Sequence, residues 1–149
     1  MVELTNKQRD SFFRTGFFIV PGVFDSDEIK EMKNSFQALQ KTAFSLANLH
    51  LEQLKQEKET YIMHRGAQFV LGQVQRGTHS GQPAIRRISW CGAAEPTLSR
   101  YGKDPRLLSV ASQLLGAKKM NQLINQAHFK LPGDEVFFEW HQDSTHRGY

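Results

Sequence analysis

Residues 122 to 143 read QLINQAHFKLPGDEVFFEWHQD, and this stretch decides the fold. Pro132-Gly133-Asp134 at its centre is a strong turn signal. The flanks, Gln122 to Leu131 and Glu135 to Asp143, are rich in aromatic and β-favouring residues, so a β-hairpin is expected. Side chains alternate along a strand. Gln126, His128 and Lys130 are therefore expected to share one face, and His141 and Asp143, two apart on the returning strand, another.

Working outward from the hairpin, short β-branched or aromatic runs bounded by Gly, Ser or Pro occupy Tyr61 to Met63, Gln68 to Val74 and Ile85 to Cys91, and each predicts a strand. Asp104-Pro105 is a helix start, N-cap then proline, and Leu107, Leu108, Ala111, Leu114 and Leu115 follow at helical spacing until Gly116 closes it. Earlier still, Thr5 with Gln8 and Asp25 with Glu28 make two capping boxes. Gly16 ends the first helix, and Phe17 to Val20 reads as strand-like before Pro21-Gly22. The second box opens a long helix with Ile29, Met32, Phe36, Leu39, Ala43 and Leu46 as its core stripe, fading near residue 58. The expected class is thus α+β, mostly β with N-terminal helices. A single domain is expected over 1–149, helical over 1–58 and β-rich over 59–149, with one helix near 105–115.

The composition suits that reading. Of 149 residues, 39% are hydrophobic and eleven are Phe, enough for a core without disulfides or a structural metal. The longest apolar run, Phe17 to Val20, is far short of the roughly 20 residues of a membrane span. Residues 1 to 10 lack the features of a secretory signal, and the single Cys91 has no internal partner, so a reducing cytoplasm is expected. The net charge of +4 is concentrated: residues 76 to 119 hold eight basic and two acidic side chains. Those cations are scattered, with Arg86 and Arg87 expected on opposite faces of a strand. They read as a solvated surface or the rim of a site for an anionic substrate, and nucleic acid is not expected as a partner. No glycine pattern matches a phosphate-binding loop.

The residues that carry chemistry are His141 and Asp143. A histidine and a carboxylate are two of the three members of the facial triad that holds Fe(II) in non-haem oxygenases. Neutral imidazole suits Fe(II), the carboxylate offsets its charge, and three ligands on one face leave room for cosubstrate and dioxygen. An isolated H-x-D triplet also arises by chance, so its surroundings decide.

Those surroundings resemble the phytanoyl-CoA dioxygenase family. The resemblance runs through Leu4-Thr5, Phe12 to Phe24 and the acidic helix start that follows, then Asp104 to Leu108 with Leu114-Leu115-Gly116, and finally Phe129 to Gly133 with Trp140-His141-Gln142-Asp143. It implies a double-stranded β-helix, or jelly roll, in which His141 and Asp143 bind iron. It also implies an Fe(II)- and 2-oxoglutarate-dependent oxygenase that consumes dioxygen and hydroxylates a small organic substrate. Because Asp143 keeps the carboxylate position filled, the resemblance implies hydroxylation over halogenation. The family's distal metal-binding His and its 2-oxoglutarate-binding Arg have no counterpart downstream of Asp143, so an incomplete barrel is expected, with weak iron binding and no turnover by this chain alone. The alternative is a jelly-roll binding or structural protein without oxygenase activity; a cupin-like metalloenzyme without 2-oxoglutarate is a third reading.

The resemblance also makes Gln126 and His128 candidates for binding 2-oxoglutarate, with Phe138 as a wall across the hairpin. Their other reading is as solvent-facing polar groups. Trp140, His146 and Arg147 are candidates for lining the substrate mouth, although Trp140 reads more simply as packing in the second sheet. Lys130, His50 and His79 read as surface groups, His64 as a structural histidine, and Cys91 as a small core residue on a strand.

Overall fold

The computed structural model describes residues 2–74, 80–130 and 139–142. Helix α1 (Asn6–Thr15) starts at Thr5, whose hydroxyl accepts from the Gln8 amide while Gln8 reaches back to the Thr5 backbone. It stops at Gly16, whose φ of 81° only glycine adopts freely. The following residues, 17–20, form no strand. The carbonyl of Phe17 instead accepts hydroxyl groups of Ser11 and Thr15, so helix side chains take the place a neighbouring strand was expected to hold.

Helix α2 (Ser26–Leu49) is capped by Asp25 and Glu28 as expected, and a short α3 (Leu51–Gln56) follows. Only the C-terminal half of the α2 stripe is core: Leu39, Ala43, Leu46 and Ala47 are buried, whereas Ile29 and Phe36 are well exposed because the sheet lies against the later turns. Strands β1 (Thr60–His64), β2 (Ala67–Gln73), β3 (Pro83–Ser89) and β4 (Gln126–His128) form one antiparallel sheet in sequence order. Between β3 and β4 the chain makes α4 (Cys91–Ala94), α5 (Pro96–Gly102) and α6 (Pro105–Leu115). The single helix expected near 105–115 is therefore joined by two others. Asp104 and Gly116 bound α6 as the sequence predicts, but its leucines are not core; Leu107, Leu108 and Leu115 remain exposed.

The register assigns every strand residue to a face. Across the helix-covered side run Thr60, Leu71 and Ile85, then Ile62, Phe69, Ile88 and Ala127. Phe69, Leu71, Ile85 and Ile88 are fully buried against Leu39, Ala43, Leu46 and Leu54. Each such side chain contributes roughly 1.5–3 kcal/mol of transfer free energy. Ile85 and Ile88 are three apart and would sit on opposite faces of a regular strand. A bulge reconciles them: Ile85 pairs with Leu71 and Arg87 with Val70, leaving Arg86 as the extra residue. Arg86 and Arg87 consequently both lie on the far side of the sheet, a correction to the opposite faces expected of neighbours. Arg86 donates to the carbonyl of Gln73 beside the bare Cα of Gly72, while Arg87 lies opposite His128.

Among the described residues the architecture is α+β: a four-stranded antiparallel sheet with helices on one face.

Candidate functional site

The far face of the sheet carries two rows read directly from the pairing. One runs Tyr61, Val70, Arg87, His128; the other runs Met63, Gln68, Ser89, Gln126. Cross-strand neighbours on one face stand about 4.5–5.5 Å apart at Cβ, close enough for their polar ends to act on one ligand. Gln126 and His128 share this face as their spacing predicts, and the Gln126 carboxamide reaches Nε2 of His128 at 2.5 Å. Arg87 and Ser89 stand beside them. Neither was expected here, because the register and the bulge that place them leave no mark in local composition. Lys130 is exposed, as expected. His64 turns to the other face, edge-on to Phe69, consistent with a structural role.

Residues 139–142 are exposed and form no strand, which corrects that part of the strand expected over Glu135 to Asp143. Trp140 is fully exposed, so no described residue covers it, and the packing expected of it is not seen. His141 Nδ1 lies 2.7 Å from the Glu139 carbonyl oxygen. A carbonyl only accepts, so Nδ1 is the donor in this contact. Asp143, Phe138, His146, Arg147 and His79 lie outside the described residues. Among the described residues no group of three or more His, Cys, Asp or Glu side chains could hold a metal ion.

Cys91 begins α4 rather than continuing β3, but it is the core residue expected, 3% exposed. Burial pushes its thiol up, away from the thiolate a nucleophile needs. Its Sγ donates to Oδ1 of Asn125, which also accepts from the Gly92 amide at 2.9 Å.

The described part of the site is thus a helix-backed antiparallel sheet with Arg87, Ser89, Gln126 and His128 on its far face, followed in the chain by His141. Comparison with protein families assigns the chain: the phytanoyl-CoA dioxygenase (PhyH) family matches residues 12–147, and the chain belongs to that family. It is a family of Fe(II)- and 2-oxoglutarate-dependent oxygenases. Searches of curated proteins and of solved structures returned no match. No described helix is long and apolar enough to cross a membrane.

Proposed function

We propose that this chain provides part of a non-haem Fe(II)- and 2-oxoglutarate-dependent dioxygenase that hydroxylates a small organic substrate. The observation that carries this reading is the family match, which encloses His141 and Asp143. His141 and Asp143 hold the iron in this reading. Bound iron would supply the activation of dioxygen, coupled to decarboxylation of 2-oxoglutarate. The chain's own residues bind and orient. The contact of His141 Nδ1 with the Glu139 carbonyl, 2.7 Å away, helps to orient the ring. Gln126 and His128 present polar groups to 2-oxoglutarate, Arg87 beside them adds a positive charge that favours a dianion, and Phe138 walls the hairpin. Trp140, His146 and Arg147 line the substrate side, where Arg147 suits an anionic substrate. In this reading the sheet forms part of a jelly roll whose interior is the face that carries Arg87, Ser89, Gln126 and His128. We place the protein in the cytoplasm, where Cys91 stays reduced.

Anaerobic titration of the chain with Fe(II), read by calorimetry, tests the metal reading. His141→Ala and Asp143→Ala should each weaken Fe(II) binding by more than about tenfold, the least that loss of even an outer-shell partner costs. Affinity unchanged in both variants would overturn the assignment. The same samples should form no succinate from 2-oxoglutarate, as expected of a chain without the family's distal His and Arg, and stoichiometric turnover would overturn that expectation.

A further inference from the structure

A second site lies where β3 ends and the chain returns toward β4. A cavity of about 210 Å³ is lined by Trp90, Gly92, Ser99, Lys103, Gln122 and Asn125. The lining is built by close packing. A Cβ at Gly92 would meet the Ser99 backbone at 2.9 Å, and one at Gly102 would meet Nδ2 of Asn125 at 2.6 Å and Nε2 of Gln122 at 3.1 Å. Two glycines therefore let α4, α5 and the carboxamides close on one another.

The lining carries a cation and no anion. Asn125 Oδ1 is engaged by the Gly92 amide and the Cys91 thiol, which leaves the Asn125 amino group as the part that can serve a ligand. Lys103 supplies a positive charge that has no carboxylate partner among the described residues. Ser99 adds a hydroxyl and Gln122 a carboxamide, whose amino group also donates to the Gly102 carbonyl at 3.4 Å, and no acidic side chain is in the lining. At the rim stands Trp90, 45% exposed and held at φ 57°, ψ 37°, a left-handed conformation that bulky residues rarely adopt. Backbone strain of this kind is kept where the surroundings impose it, often at ligand sites. Here the residue so held lines the cavity. The volume is below the range of about 300–1,000 Å³ usual for drug-sized ligands, so it suits a one-ring molecule.

We propose that this cavity binds a small carboxylate carried on a planar ring, the ring lying against the Trp90 indole and the carboxylate taking the Lys103 ammonium and the Asn125 and Gln122 amides. The site uses no iron ligand.

Benzoate is the probe, and the readout is the two indole N–H signals of the ¹⁵N-labelled chain, assigned with Trp140→Phe. The Trp90 signal should move saturably with benzoate while the exposed Trp140 signal stays fixed. Lys103→Met should require about tenfold more benzoate, the worth of one charge-assisted hydrogen bond, and Gln122→Leu should weaken binding in the same direction. Benzamide, which keeps the ring and loses the charge, and acetate, which keeps the charge and loses the ring, should both bind more weakly. A Trp90 signal that does not move, or two indoles that drift together without saturation, would overturn the site. Benzamide or acetate equalling benzoate would overturn the ligand class, and a wild-type response from Lys103→Met would overturn the assigned cation. Iron need not be present, so failure here is distinct from failure of the oxygenase reading.

Discussion

Arg65 and Gly66, at φ 49° and 79°, join His64 to its partner Ala67 in a two-residue turn, the tightest reversal in the sheet. Positive φ at both central positions matches the twist of the flanking strands and is costly for residues with a Cβ. Gly66→Ala would add a methyl 3.2 Å from Cβ of Ala93 as well as the left-handed penalty. It should lower unfolding free energy by about 1–2 kcal/mol in urea titrations, with the slope unchanged. Features of this size were legible where one residue acts on its immediate neighbours. Thr5, Asp25 and Asp104 all cap the helices their sequence predicts, because a cap depends only on a side chain and the next three amides. Trp90 was not legible. Its left-handed backbone is imposed by the turn from β3 into α4, and nothing in its own chemistry announces it.

Among elements, β2 is the most dependent on packing, with Phe69, Val70 and Leu71 all fully buried. Phe69→Ala removes the ring that Ile62, Ile88 and the α2 face close upon. It should cost about 3–5 kcal/mol, measured by chemical denaturation, with Phe69→Leu losing markedly less. The three strands from residue 60 to 89 were legible within a few residues, since β-branched runs between turn signals are local. Helix α5 was not: it has seven residues, no side-chain cap and only Pro96 to mark its start. Nor was the partial burial of α2, where periodicity defines an apolar face but not the length of it that the sheet covers. The segment 122–125 looked like strand and is instead irregular, because Asn125 is spent on Cys91 and Gly92.

On the scale of the whole molecule, polar contacts tie segments far apart in the chain, alongside the buried Leu4. The N-terminal arm docks on α6 through Gln113, which accepts from the Leu4 amide and donates to the Val2 carbonyl. The start of α6 is joined to the start of α2 by Arg106, which holds Asp104 and Glu28 together and donates to the Val23 carbonyl over the Phe24 ring. Hydrogen bonds from the Arg106 side chain and backbone hold the Asp104 carboxyl at about 2, below its ordinary 3.8. A depressed folded value stabilises above the unfolded value and is lost as pH falls through the folded one. The contribution of Asp104 is therefore complete above about pH 4 and declines toward pH 2. Asp104→Asn should lower Tm at pH 7 and flatten the fall between pH 4 and pH 2, as followed by circular dichroism; parallel profiles would count against this role. The candidate site was legible to the same extent as its contacts are local. Alternation alone put Gln126 beside His128, whereas Arg87 and Ser89 joined them through pairing between distant segments.

The extra residue in β3 has a consequence for how this sheet can change. Because Ile85 and Arg87 already face successive partners on β2, Arg86 is a removable unit. Its loss would turn no other side chain, and a different residue inserted there would disturb no pair. Elsewhere in a strand, one residue gained or lost exchanges inside for outside along everything that follows. At this point alone among the paired residues of β2 and β3, deletion of one residue would change the charge of the far face and leave every other side chain on its own side.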